Sequence, residues 1–196
     1  FMTYQCKSCR FLKKFEVRGI LGSGAYGCVF KAFNLVDKWS YAVKRIPLRG
    51  SDEIVDESLK EVRALASLND QGIVRYNSSW VEKPPIGWQI NYKDDSVFIY
   101  IQMELCKQSL HNWLHDNESR DVTQAKLWFK QLVSAIGYLH SKGKIHRDLK
   151  PRNILFDMEG RIKICDLGLV ADLALTNGQQ IDATRTNLGM YMAPEQ

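Results

Sequence analysis

Along one half of the chain, apolar and polar positions alternate in short runs; along the other, apolar positions recur at helical spacing. Between Phe15 and about Leu105, the segments FEVRGIL, CVFKAF, WSYAVKRI, IVRYNSSWV and SVFIYIQMEL are rich in β-branched and aromatic residues and separated by Gly, Asn, Asp or Pro. That texture predicts strands. One helical pattern interrupts them: in ESLKEVRALASL, Leu59, Val62, Leu65 and Leu68 recur at helical spacing. The second half is helical first. QAKLWFKQLVSAIGYLHSKG places Ala125, Trp128, Phe129, Leu132, Val133, Ile136 and Leu139 on one face, with Gly143 as its C-terminal stop. NILF and IKIC then read as short strands joined by the turn DMEG. Residues 171–190 are polar and aperiodic, which predicts a long loop, and EKPPIGWQINYKDD predicts a second loop between two strands.

The 196 residues suffice for one domain or two small lobes sharing a cleft. A composition of 45% hydrophobic and 25% charged residues is that of an ordinary globular protein. No apolar run is long enough to span a membrane, and FMTYQCKSCR lacks the layout of a signal peptide. A net charge of +5 is modest and fits a solvated basic surface. Direct nucleic-acid binding is not expected from it. Five scattered cysteines point to free thiols in a reducing compartment. Cys6 and Cys9 form one C-x-x-C; with no second pair, it reads as incidental.

Chemistry enters with GSGAYGCV, in which Gly22, Gly24, Gly27 and Val29 have the spacing G-x-G-x-x-G-x-V. The same glycines open a dinucleotide-binding unit when a helix follows. Here CVFKAF reads as a strand, which favours a hairpin folding its backbone N–H groups over phosphates. Taken alone, an ordinary glycine-rich hairpin is as good a reading. Lys44 ends YAVK on a strand, with Ala42 on the same face. A strand lysine commonly snorkels to solvent, and a phosphate role needs an acid partner. Glu61, amid the apolar stripe of the first helix, can supply one. In KIHRDLKPRNIL, Asp148 can accept or orient a hydroxyl proton, Lys150 can neutralise a moving phosphoryl group, and Asn153 can offer oxygen to Mg²⁺. Asp166 in CDLG, after a strand and before Gly168, suits a second metal ligand. Ala193, Pro194 and Glu195 close the series as A-P-E.

Each motif has a plain structural reading, but the ordered set does not arise readily by chance. From about Phe15 onward the chain resembles a eukaryotic protein kinase catalytic domain. The resemblance implies an α+β, bilobal fold: an extension over 1–14, an antiparallel-sheet N-lobe with one key helix over 15–105, and a helical C-lobe, partial in this chain, over 106–196. It implies ATP and Mg²⁺ as cofactors. Lys44, Glu61, Asp148 and Lys150 fall at catalytic positions, and Asn153 and Asp166 at metal positions. Leu21, Gly22, Gly24, Gly27, Val29, Ala42, Lys44, Met103, Glu104, Cys106 and Leu155 fall around the nucleotide. Met103 matches the gatekeeper, and Glu104, Leu105 and Cys106 the hinge. Leu65, His146 and Leu167 match packing-spine positions. Arg147 implies control by a phosphate on the activation loop, with Thr176, Thr184 and Thr186 as acceptors.

RYNSSWVEKPPIGWQ, YIQMELCKQSLHNWL, HRDLKPRNI and YMAPEQ resemble the kinases of the alpha subunit of translation initiation factor 2, of the endoplasmic-reticulum and heme-regulated types. That group implies Ser phosphorylation of the factor, restrained translation, an N-lobe homodimer, and a cytoplasmic site, on the endoplasmic-reticulum surface for the membrane-anchored type. Three departures stand out. D-L-G replaces D-F-G, with Leu able to fill the same apolar slot. The Gly-Thr pair expected before YMAPE is absent, and Gly189 is displaced. The chain stops at Gln196, which leaves Glu195 without its usual Arg and predicts exposed apolar surface on the QAKLWFKQLVSAIGYLH helix. A nucleotide-binding pseudokinase or a truncated interaction module is the competing expectation.

Overall fold

The protein is described by a computed structural model over residues 9–24, 27–48, 52–83, 97–119 and 121–172. The chain groups into two compact units, Phe1–Val62 with Arg75–Leu105, and Arg63–Val74 with Cys106–Gln196.

In the first unit, β1 (Phe15–Gly24), β2 (Gly27–Asn34), β3 (Ser40–Leu48), β4 (Tyr76–Glu82) and β5 (Val97–Glu104) form one antiparallel sheet in the order β1-β2-β3-β5-β4. All five strands fall where the alternating texture predicts. Residues directly opposite in such a ladder share a face, so the register sorts the side chains. Val29 pairs with Lys44, Lys44 with Ile101, and Ala42 with Met103. These five residues therefore lie on one face. Phe30, Ala32, Val43, Trp80, Phe98 and Tyr100 alternate onto the other and form a cluster with Cys9, Phe11 and Phe15.

A short helix covers that second face. α1 (Arg10–Lys14) lies within the segment expected to be a mere extension. Its five residues are too few for a helical period to show in the sequence. Phe11 is fully buried, its ring centroid 5.1 Å from Tyr100, 5.7 Å from Phe15 and 5.8 Å from Phe30. The helix start is capped from a distant strand: the Glu82 carboxylate accepts from the N–H groups of Arg10 (2.8 Å) and Phe11 (3.0 Å). Orphan donors at a helix start favour a carboxylate there. The Cys9 thiol also reaches Glu82, at 3.4 Å, and burial pushes its pKa up to about 11. The thiol is thus part of this core, and Cys6 lies outside the described residues.

The predicted helix is α2 (Asp52–Ser67), which begins ahead of its apolar stripe and ends one residue before Leu68; Leu65 within it and Leu68 just after it are buried. In the second unit, α3 (Leu110–Asp116) is capped by Ser109 and α4 (Val122–Ser141) by Asp121. Gly143 follows α4 at φ +68°, a left-handed position that suits glycine. β6 (Gln108–Ser109), β8 (Ile154–Phe156) and β9 (Ile162–Ile164) form a small sheet in the order β6-β8-β9. β7 (Lys144–Ile145) pairs with β10 (Ala171–Asp172). The segment expected to be loop from residue 171 thus starts as a strand, and its remainder lies outside the described residues, as does most of the loop EKPPIGWQINYKDD.

The apolar face of α4 divides. Ala135 and Leu139 are buried, and Trp128 and Leu132 pack on Ile154, Phe156 and Ile162. Phe129 and Val133, expected on the same buried stripe, are 66% and 52% exposed, and Ala125 is exposed too. Val122 and Leu127 join them, so exposed apolar surface on this helix is present as expected.

Candidate active site

The Lys44 ammonium on β3 meets the Glu61 carboxylate of α2 at 2.7 Å and 2.8 Å from the two oxygens, with 10% and 5% of the side chains exposed. An amphipathic helix laid along the sheet would leave Glu61 stranded in the apolar stripe, and the pairing resolves that. Lys44 shares its face with Val29, Ala42 and Met103, while the aromatic core occupies the other. Val29 is half-buried and Ala42 and Met103 are buried.

Gly22 pairs with Val29, and Gly24 with Gly27, at the hairpin end. Gly27 has φ +124°, and a Cβ there would lie 2.0 Å from the Arg45 carbonyl oxygen, so only glycine fits. A register irregularity between Ile20 and Gly22 leaves Leu21 out of the ladder, half its side chain exposed. At the end of β5, the Glu104 N–H donates to the Arg75 carbonyl at 3.0 Å, and the Glu104 carboxylate accepts from the Arg75 N–H at 2.7 Å.

The second unit gathers the polar residues of HRDLKPRN. Asp148 is buried. Asn153, in a 3-10 turn over Pro151–Asn153, donates its amide to Asp148 Oδ2 at 2.7 Å and to the Asp148 carbonyl at 3.0 Å. Because the Asn153 amide nitrogen serves Asp148, its oxygen is the atom suited to a cation. Lys150 Nζ lies 2.9 Å from Asp148 Oδ1. That contact is an ion pair without hydrogen-bond geometry, so Oδ1 is a buried acceptor with no hydrogen bond among the described residues. The Asp148 carboxylate is thus held from both sides, by the Asn153 amide at Oδ2 and by the Lys150 ammonium beside Oδ1.

His146 joins the loop to the strand before Asp166. Its Nδ1 accepts from the Asp148 N–H at 3.2 Å, and its Nε2 donates to the Cys165 carbonyl at 3.0 Å. Both bonds require the neutral ring protonated at Nε2, and burial lowers the pKa in the same sense. Arg147 and Asp166, flanking these bonds, adopt φ +61° and +60°, uncommon for residues other than glycine. The Arg147 guanidinium donates through Nε to the Leu169 carbonyl at 2.6 Å. The Cys165 N–H donates to the Asn153 carbonyl at 3.0 Å, which sets Asp166 one residue from the Asn153 backbone. Leu167, the Leu of D-L-G, is fully buried, as its apolar slot requires. Leu155 on β8 and Cys106 and Cys165 are half-buried.

No cluster of three or more His, Cys, Asp or Glu that could hold a metal occurs among the described residues. Asn153 and Asp166 nevertheless offer hard oxygen donors, and Mg²⁺ is commonly held by one or two such groups with water and phosphate completing its shell. The donor set therefore fits that ion. Thr176, Thr184, Thr186, Gly189, Ala193, Pro194 and Glu195 lie outside the described residues. Sequence reasoning missed the side-chain work of Glu104 and Glu82; neither bond leaves a signal in spacing, because both partners are backbone groups remote in the chain.

The first unit thus carries a glycine hairpin and a strand lysine paired to a helix glutamate, and the second an Asp–Lys–Asn loop. The family model described as protein kinase domain matches residues 15–196. The chain belongs to the protein kinase family, whose members use ATP and Mg²⁺. It is 38% identical over 196 residues to the interferon-induced, double-stranded RNA-activated protein kinase of Mus musculus, covering 95% of this chain and 36% of that protein. It is 31% identical to the eIF-2-alpha kinase GCN2 of Arabidopsis thaliana, covering 96% of this chain and 18% of that one. It is 33% identical to the eukaryotic translation initiation factor 2-alpha kinase pek-1 of Caenorhabditis elegans, covering 75% and 16%. The chain thus spans little more than a third of the mouse relative and less of the others. No helix among the described residues is long and apolar enough to cross a membrane.

Proposed function

We propose that this chain is the catalytic part of a serine/threonine protein kinase that transfers the γ-phosphoryl group of ATP to a serine of the alpha subunit of translation initiation factor 2, restraining translation under stress. The paired Lys44 and Glu61 carry the reading, because a buried lysine locked by both oxygens of a carboxylate suits a fixed phosphate clamp. Two relatives whose names state that they are kinases of this factor support the substrate.

In this reading the first unit is the N-lobe. Gly22, Gly24 and Gly27 bring backbone N–H groups over the phosphates, Lys44 holds them, and Glu61 holds Lys44. Leu21, Val29, Ala42, Met103 and Glu104 are the first unit's residues for the adenine, and Cys106 and Leu155 the second unit's. Asp148 receives or orients the serine hydroxyl at Oδ1. Lys150, beside that oxygen, offsets charge on the phosphoryl group in transit. Asn153 and Asp166 would hold Mg²⁺, which would supply positive charge to offset that of the phosphates when bound. A cytoplasmic site and an N-lobe homodimer belong to the same proposal.

Transfer from labelled ATP to the factor's alpha subunit tests the reading, with nucleotide-dependent melting as a second channel. Transfer that stops with Asp148→Asn supports it. Nucleotide binding without any transfer replaces it with the pseudokinase or interaction-module reading.

A further inference from the structure

The chain passes between its two units within α2 at 62/63, and again at 74/75 and 105/106. Arg75 and Glu104 stand beside the last two crossings, where β4 and β5 have just paired through Tyr76 and Met103. In an antiparallel ladder, a hydrogen-bonded pair ordinarily exchanges two backbone bonds. Here only one is backbone to backbone, from the Glu104 N–H to the Arg75 carbonyl at 3.0 Å. The return bond runs from the Arg75 N–H to the Glu104 side chain, at 2.7 Å to Oε1. The carboxylate has taken the ladder place that the Glu104 carbonyl would fill. A charged acceptor at this distance makes a stronger bond than the carbonyl it replaces.

We infer that the Glu104 side chain is a positioning residue: by standing in for its own carbonyl in the ladder, it staples the hinge backbone to the start of β4 and sets the backbone that meets the adenine edge. This rests on the kinase reading for its functional consequence but not for the staple itself. An ordinary strand end would let residue 104 keep the ladder geometry one step further and turn the carbonyl toward Arg75. The staple ends the ladder early while leaving the Arg75 N–H bonded, as a backbone donor requires. The requirement is specific: an acceptor at the reach of a glutamate side chain, charged or neutral.

The experiment compares Glu104→Ala, Glu104→Asp and Glu104→Gln in the full chain. Hydrogen exchange at the Arg75 amide is read together with the ATP KM and kcat. Glutamine keeps an acceptor at the right reach, whereas aspartate keeps the charge but is one methylene short. The expected result is Arg75 exchange faster by about tenfold or more in the Ala and Asp variants, on the scale of one lost hydrogen bond. In those variants the ATP KM rises by a similar factor with kcat within about twofold, the pattern of lost nucleotide binding without lost chemistry. Glutamine should restore both readouts. Unchanged Arg75 exchange in Glu104→Ala and Glu104→Asp overturns the staple, as does a glutamine variant no better than alanine. Should Glu104→Ala fail to fold, Glu104→Asp against Glu104→Gln still decides the matter. A wild-type chain that shows the exchange pattern but binds no ATP overturns the kinase reading and leaves the staple standing.

Discussion

Separating Lys44 from Glu61 should cost both stability and nucleotide affinity, and the two residues should behave as one unit. Lys44→Met removes the ammonium and leaves a carboxylate with about 5% of its side chain exposed. Removing one partner of a buried ion pair costs about 3–5 kcal/mol, because the remaining charge keeps its desolvation penalty. Glu61→Leu takes the carboxylate away from the buried ammonium and should cost a similar amount. The double variant strands neither, and apolar replacement of a whole pair is often nearly neutral. With two single costs of about 3–5 kcal/mol and a double cost near zero, the coupling in a double-mutant cycle should be about 6–10 kcal/mol in size, well above the ~0.5 kcal/mol within which independent sites add. Against a domain stability of about 5–15 kcal/mol, each single variant should show a visibly lower urea midpoint. ATP affinity separates the functional arm: every variant lacking Lys44 should bind ATP weakly, including the stable double variant. Additive losses would refute the pairing, and a double variant with wild-type ATP affinity would refute the clamp.

Other expectations follow from buried groups. Phe11→Ala should destabilise the first unit by about 3–5 kcal/mol, since its ring is fully buried among aromatic neighbours; a urea midpoint equal to wild type would show that α1 does not brace the sheet. His146 is held neutral in the folded chain, its pKa lowered by burial. At a pH below about 6.5 the unfolded chain takes up a proton that the folded chain resists, so stability falls as pH drops through that window. In His146→Asn that share of the fall should be missing, and identical pH profiles would contradict the neutral ring. Cys165 is half-buried beside Asp166, so ATP with Mg²⁺ should slow its alkylation as followed by peptide mass spectrometry; equally fast labelling with and without nucleotide would place it away from the pocket.

What the sequence shows depends on whether an element carries a period. The strands of the first unit alternate, and both long helices repeat, so their positions were legible within a few residues. α1 was not, because five residues hold no repeat and its cap is a glutamate far along the chain. α4 was legible as a helix but not as to which apolar residues are buried. Phe129 and Val133 satisfy the same helical pattern as Leu132 and Leu139 yet stand exposed, since a period locates a face and not what covers it. The proposed catalytic set is legible as an ordered series of motifs, because phosphoryl transfer asks for particular residue types at short spacings. The hydrogen bonds that aim it were not, because His146 meets a carbonyl at Cys165 and Glu104 an amide at Arg75.

The most direct measurement is phosphoryl transfer from γ-labelled ATP to the alpha subunit of translation initiation factor 2 by the protein that carries this chain, with and without Asp148→Asn. Phosphate should appear on serine with the wild-type residue. With Asp148→Asn it should fall by at least the ~100-fold scale of a lost acid–base group, while ATP binding stays close to wild type. Transfer at undiminished rate by the variant, or no transfer from a wild-type protein that binds ATP and Mg²⁺, would contradict the account.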